Sequence, residues 1–178
     1  MLWKPIIILA LSLLLQGAGT PAPQLKQPGQ KSNDAPSLPQ ELSEADTQLI
    51  LRENNPKSRV DAAIRVSDGR IAAAVRLVGE SQYKEAVGEM DLYASLLIYA
   101  DAFVRKLPES QVKDRNACLK KIEQAIFKQN RPVDTVMREL PVDYRDALGE
   151  KIAEVRKIRI RAINDVLGGG RVMNPSSN

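Results

Sequence analysis

Apolar residues recur at steps of three and four along most of the chain, which is the spacing of residues on one face of an α-helix. The clearest run begins at Pro56, which suits the first turn of a helix capped by Asn55, and it extends to Gly79. One wide stripe contains Val60, Ile64, Ser67, Ile71, Ala74 and Val78. The pattern predicts a long helix that buries this face, with a weak point at Gly69.

A second long helix is predicted from about Ser81 to Leu107, where Pro108 stops it. It carries two apolar stripes on opposite sides, so we expect other helices to cover it from both directions. One of these stripes contains a carboxylate, Asp101.

Four further helical segments are predicted, at residues 43 to 53, 110 to 129, 132 to 140 and 141 to 168. No stretch shows the period-2 alternation and the turn spacing of a sheet protein. We therefore expect an all-α fold, an antiparallel bundle of about four to six helices with up-and-down connectivity and no sheet.

One short segment resembles a known repeat family. Residues 79–90, "GESQYKEAVGEM", look like the turn and the second-helix start of a tetratricopeptide repeat. The small residue and the closing proline of that pattern would fall on Tyr93 and Ile98, and no second copy follows at a 34-residue period. The resemblance therefore implies a single helical hairpin.

The two ends of the chain differ in composition from the helical region. Residues 1–19 have the layout of a secretory signal peptide, with the apolar run "IIILALSLLL" and a cleavage position after Gly19. Residues 20–40 are rich in proline and glutamine and are expected to form a disordered linker. The helical bundle is then expected at 41–170 and a disordered tail at 171–178.

This organisation predicts an exported protein, periplasmic or secreted, and an uncleaved N-terminal membrane anchor is the alternative. The order of signal, linker, hairpin and "LPVDYR" helix is similar to that of small exported bacterial proteins of unknown function. That resemblance implies no activity.

The composition removes several kinds of catalytic site. The chain has no histidine and one cysteine, Cys118, which excludes a Ser-His-Asp triad, a Cys-His pair and a zinc site built from His and Cys. Carboxylate pairs such as Glu85 and Glu89 have the spacing of an ordinary solvated helix face. We therefore expect no enzyme activity, no cofactor and no bound metal.

The last predicted helix ends in a basic stretch, "RKIRIRAINDVLGGG". Residues 156–171 carry five basic side chains against Asp165, and this excess equals the +4 net charge of the whole chain. Acidic residues in the first half of the helix and basic residues in the second half complement the helix dipole. Contact with an anionic membrane surface or polymer is the alternative role of the exposed basic residues Arg156, Lys157, Arg161 and Arg171.

Arg159 differs from the other basic residues because the helical period places it in the middle of the apolar face. An unpaired buried charge is too costly to persist. We hypothesise that Arg159 pairs with Asp101 across the helix interface. The alternatives are that each reaches water at the rim, or that Asp101 pairs with Arg105 one turn further along.

Taken together, the sequence predicts an exported, non-enzymatic helical module of unknown activity, which either binds an unidentified protein or envelope component or has a structural role. The alternative is a peripheral binder of anionic surfaces. Nucleic acid is not an expected partner, because the helical region has few aromatic side chains and no dense basic patch.

Overall fold

The computed structural model describes residues 36–168, and these residues form five α-helices joined by short connections. The helices are α1 (Glu44–Leu51), α2 (Pro56–Gly79), α3 (Tyr83–Arg105), α4 (Val112–Glu139) and α5 (Val142–Gly168). A 3₁₀ turn at Glu109–Gln111 leads into α4. The described residues contain no strand, so the prediction of an all-α bundle is confirmed.

The starts of α1 and α2 follow the capping signals in the sequence. The Ser43 hydroxyl accepts a hydrogen bond from the backbone N–H of Asp46 at 3.1 Å. The side-chain oxygen of Asn55 accepts from the backbone N–H of Lys57 at 2.9 Å. Both bonds satisfy donors that the first turn of a helix leaves without partners, and the cap at Asn55 stands where it was predicted.

The α2–α3 connection is only three residues long, because α2 ends at Gly79 and α3 begins at Tyr83. Ser81 takes a positive φ of 60°, which non-glycine residues seldom adopt. The following N–H, of Gln82, donates to the carbonyl of Leu77 at 2.8 Å and closes the turn. The two helices therefore form a tight antiparallel hairpin.

The segmentation predicted around Pro132 is wrong. Instead of a helix ending at Gln129 and a short segment after it, α4 runs unbroken from Val112 to Glu139 with Pro132 inside it. Proline removes one backbone donor and disfavours a helix locally. Packing compensates for this cost, since Gln129, Val133 and Val136 on both sides of the proline are buried.

Successive helices alternate in direction, as predicted, but the spatial neighbours form two side-by-side hairpins. Lys57 binds Asp114 at 2.8 Å and Asp61 binds Lys121, so α2 and α4 are parallel neighbours. The pairs between Asp91 and Lys151 and between Arg105 and Asp165 make α3 and α5 parallel neighbours in the same way. The hairpins α2–α3 and α4–α5 thus stack, and α2 and α5 occupy opposite corners.

The core lies between these four helices, and α3 contributes most to it. Ten residues of α3 are buried, on both of its predicted stripes: Ala86, Met90, Tyr93, Ala94, Leu96, Leu97, Tyr99, Ala100, Asp101 and Val104. The expectation that other helices cover α3 from both directions is confirmed.

The predicted linker meets the domain at its last residues. Residues 36–40 have no helix or strand, but Leu38 packs against the core. The predicted signal peptide at 1–19, the linker before residue 36 and the tail at 171–178 lie outside the described residues.

Candidate interaction surface

The buried carboxylate of Asp101 lies between α3 and α5. Its side chain is 6 % exposed, and it accepts hydrogen bonds from Arg105 Nε at 2.9 Å and from Arg161 Nη2 at 3.2 Å. Arg105 also reaches Asp165 on α5 at 2.9 Å. The pKa of the Arg105 guanidinium is raised, chiefly by its hydrogen bond to Asp101. Two arginines thus neutralise one buried acid, which is the arrangement that burial of a charge requires.

The predicted pair between Asp101 and Arg159 is therefore wrong. Arg159 instead lies against α4, where its Nε donates to Glu123 Oε1 at 3.1 Å and its guanidinium stacks over the Phe127 ring at 4.7 Å. The reason is geometric. Ile158, about 100° around the helix from Arg159, is buried, so Arg159 falls at the edge of the apolar face that borders α4.

Most of the basic residues predicted to contact anions have carboxylate partners within the domain. Arg156 binds Asp134 at 2.9 Å, and Arg161 binds Glu154 at 2.9 Å as well as Asp101. Lys157 lies 3.9 Å from Glu154 and remains the most loosely held of the three. The fourth predicted residue, Arg171, is outside the described residues. Most charges of this stretch are therefore paired with carboxylates of the domain itself, although their side chains remain exposed.

A different set of basic side chains has no carboxylate partner within residues 36–168. Four of them share the outer face of α4 and are exposed: Lys113, Lys120, Arg131 and Arg138. Lys113 and Lys120 are seven residues apart, as are Arg131 and Arg138, so each pair points in nearly the same direction. The heptad spacing is visible in the sequence, but the absence of partners depends on the tertiary packing.

Exposed apolar side chains lie beside this basic face. Four large apolar residues among those described are more than half exposed, and three of them belong to α4 and the second half of α5: Phe127 at 62 %, Ile160 at 59 % and Leu167 at 70 %. The fourth, Val142, begins α5. Ile160 and Leu167 share one stripe of α5, being seven residues apart, and the stripe includes the partly exposed Ile163.

An open groove of about 310 Å³ separates the two helices at this point. It is lined by four residues of α5 and two of α4: Ala162, Ile163, Val166, Leu167, Lys120 and Glu123. We call this region, with the adjacent Phe127, Arg131 and Ile160, the α4–α5 face. It combines apolar contact area with positive charge, the two properties that bind an amphipathic partner.

A second polar contact that the sequence reading missed joins α2 and α4. The Nε2 of the buried Gln129 donates to Ser67 Oγ at 3.1 Å and to Asp68 Oδ1 at 2.6 Å. Ser67 belongs to the apolar stripe of α2, and Gln129 continues the stripe of Ile122 and Ile126 on α4. The sequence does place a polar residue, Ser67 or Gln129, at a core position of each helix. Because buried polar groups need partners, these two positions could have predicted the contact.

Groups that could take part in chemistry are held in unreactive environments. Cys118 is buried, and burial raises the pKa of its thiol, which lowers the thiolate fraction at neutral pH. Burial also raises the pKa of Tyr93 and of Tyr99. Within residues 36–168 no group of His, Cys, Asp and Glu side chains has the arrangement of a metal site.

No protein-family model, no curated protein and no solved structure matches this chain. Among the described residues, no helix combines the length and the apolar character needed to cross a bilayer.

Proposed function

We propose that this helical domain is a non-enzymatic binding module that takes up another protein on the α4–α5 face. One observation carries the proposal: three of the four large apolar side chains that are more than half exposed among residues 36–168 lie on this face. The inner face of α5 buries its large apolar side chains, including Leu148, Ile152 and Val155. A cluster of exposed apolar residues is a common property of protein-binding surfaces.

Site-specific photo-crosslinking tests the position of the proposed surface. A photoreactive residue placed at Ile160 or Leu167, in the cells that produce the protein, should give a covalent adduct with a partner. The same residue placed at Val75, which is 38 % exposed on α2, is the matched control and should give none. Adducts at Ile160 should disappear when Phe127→Ser is added. Equal adducts at all three positions, or none at Ile160 and Leu167, would contradict the proposal.

Export is the second part of the proposal, and the sequence of residues 1–19 supports it. Fusion of residues 1–40 to a reporter enzyme that is active only outside the cytoplasm should give reporter activity. Lys4→Glu together with Leu11→Arg should abolish that activity by interrupting the basic start and the apolar run. N-terminal sequencing of the exported protein should begin at Thr20. Reporter activity that the two substitutions leave unchanged would argue against a signal peptide.

Binding to an anionic membrane surface is a second candidate, favoured by the basic side chains of α4 that lack carboxylate partners within residues 36–168. Co-sedimentation with vesicles of anionic lipid measures it at low and at high salt. If this candidate is correct, binding falls as salt rises, because screening shortens the reach of surface charge. The substitutions Lys120→Glu and Arg131→Glu should also lower the binding to these vesicles.

A further inference from the structure

We infer that the partner of the α4–α5 face is an acidic amphipathic helix. The inference rests on the proposed function and specifies the chemistry of the partner. The apolar side chains of the partner helix would enter the groove and cover Phe127, and the carboxylates of the partner would meet the basic side chains of α4.

The charge of the face indicates an acidic partner. Two carboxylates of α4 beside this boundary already bind arginines of α5: Glu123 binds Arg159 at 3.1 Å and Asp134 binds Arg156 at 2.9 Å. Lys120 and Arg131 have no carboxylate partner among residues 36–168, and both are exposed. The face therefore presents positive charge that the described domain does not neutralise, and an acidic partner complements it.

The shape of the face indicates a helix and not a flat surface. Ile163 and Val166, which line the groove, are partly exposed, whereas Leu167 and Lys120 beside them are exposed. A flat bilayer surface would touch the exposed side chains first, whereas a helix can also cover the partly exposed ones. Two antiparallel helices leave a trough that suits a third helix, with anchors at positions i, i+3 or i+4 and i+7.

The spacing along α4 fits such a set of anchors. Lys120, beside the groove, and Phe127 are seven residues apart, which is about 10 Å along a helix with a rise of 1.5 Å per residue. A partner helix with apolar residues at i and i+7 would reach the groove with one and the Phe127 ring with the other. Its acidic residues between these anchors would lie near Lys120 and Arg131.

A second copy of the chain fits the face less well. In a two-fold symmetric dimer the same patch meets itself, which would place the basic side chains of one copy, Lys120 and Arg131, against the basic face of the other. The chain's own ends are also unsuited by charge. Residues 169–178 contain Arg171 and no acidic side chain, and residues 1–35 contain Asp34 as their one acidic side chain beside three lysines. The charge therefore favours a separate acidic partner.

A selection that assumes no sequence tests this chemistry. The chain, purified from the cells that make it, serves as bait for a phage library of random 20-residue peptides. The expected peptides are rich in Asp and Glu and carry Leu, Ile or Phe at i, i+3 or i+4 and i+7. The affinity of the best peptide is then measured by fluorescence anisotropy at low and high salt, and rising salt should weaken it.

Matched variants locate the selected peptide on the protein. Phe127→Ser and Lys120→Glu should each weaken binding by about tenfold, the loss typical of an interface hot spot. Lys84→Glu is the charge control, because Lys84 is an exposed lysine of α3 without a carboxylate partner within residues 36–168. It should leave the affinity unchanged within about twofold. Circular dichroism of each variant verifies that the helices are retained.

The outcomes separate the partner chemistry from the proposed function. Peptides that lose affinity on Phe127→Ser but are basic or uncharged would overturn the acidic partner and leave the surface in place. Peptides whose affinity is unchanged by Phe127→Ser, together with no photo-crosslinking at Ile160, would overturn both the acidic partner and the proposed surface.

Salt-sensitive sedimentation with anionic vesicles, lost on Lys120→Glu, would assign the face to a membrane. Concentration-dependent dimerisation abolished by Phe127→Ser would assign it to a second copy. Either of these last results overturns the acidic helix.

Discussion

Helix α5 packs against α3 on one side and α4 on the other, and the two contacts are built differently. Toward α3, a carboxylate with a 6 % exposed side chain binds two arginines. Toward α4, Arg159 binds Glu123 where the side chains are 36 % and 21 % exposed, and the neighbouring Phe127, Ile160 and Leu167 face solvent. A charge interaction is stronger where water is excluded, and apolar area contributes to stability only when it is removed from water. The carboxylate at the α3–α5 contact is shielded from water, whereas the α4–α5 face leaves apolar area exposed.

The core beside the α3–α5 contact should give the largest effect on stability. Leu97, one turn before Asp101, is 0 % exposed. Leu97→Ala should lower the free energy of unfolding by about 2–5 kcal/mol, because it removes buried apolar area and leaves a cavity. Urea unfolding followed by circular dichroism measures the loss. The Cys118 thiol is a second probe, because burial and its raised pKa protect it until the domain opens, and alkylation should accelerate in the variant. A loss below about 1 kcal/mol would show that α3 is not the centre of the core.

The buried carboxylate should come second. Asp101→Ala should cost about 1–3 kcal/mol, because it removes charged hydrogen bonds to two arginines. The loss is smaller than for a fully buried pair because the side chains of Arg105 and Arg161 are 36 % and 44 % exposed and can turn toward water. A double-mutant cycle of Asp101→Ala with Arg161→Gln should show coupling.

The matched cycle for that prediction combines Asp101→Ala with Arg159→Gln. Its two losses should add within about 0.5 kcal/mol, since the two residues share no partner. Coupling between Asp101→Ala and Arg159→Gln, together with additivity of Asp101→Ala and Arg161→Gln, would mean that Asp101 pairs with Arg159 and not with Arg161.

The ion pair on the α4 side should contribute less. Glu123→Gln should change the free energy of unfolding by about 0–1 kcal/mol, the usual range for a pair open to solvent. The effect should shrink further in high salt, which screens exposed charges. The same urea titrations at low and high salt measure it. A loss as large as that of Asp101→Ala would remove the distinction between the two sides of α5.

Phe127→Ser should have the smallest effect on stability. The ring is 62 % exposed, so its removal should change the free energy of unfolding by no more than about 0.5 kcal/mol. Its effect on partner binding should be large in comparison. Thermal unfolding of Phe127→Ser, compared with that of Leu97→Ala, checks the small effect on stability. The peptide affinities check the large effect on partner binding. Strong destabilisation by Phe127→Ser would mean that the ring stabilises the fold.

Local chemistry determines where these helices begin and end. The cap at Asn55 and the end of α2 at Gly79 agree with the structure, because capping and backbone preferences act within one helical turn. The apolar spacing also identified α3 as the helix covered from two sides. The continuation of α4 through Pro132 was missed because contacts on both sides of the proline, from other helices, offset its local cost.

The partners of charged residues depend on tertiary structure. Helical periodicity defines a face, but it does not determine how that face is rotated between two neighbouring helices. Asp101 therefore binds Arg105 and Arg161, while Arg159 turns to Glu123. In the same way the sequence identified a basic stretch in α5 that the fold neutralises, and the basic side chains of α4 stood out only once the helices were packed. The sequence by itself determined an all-helical domain and the ends of most helices, because those depend on near neighbours. The tertiary structure decided which charges are paired and which apolar residues stay exposed, because both depend on residues far apart in the chain.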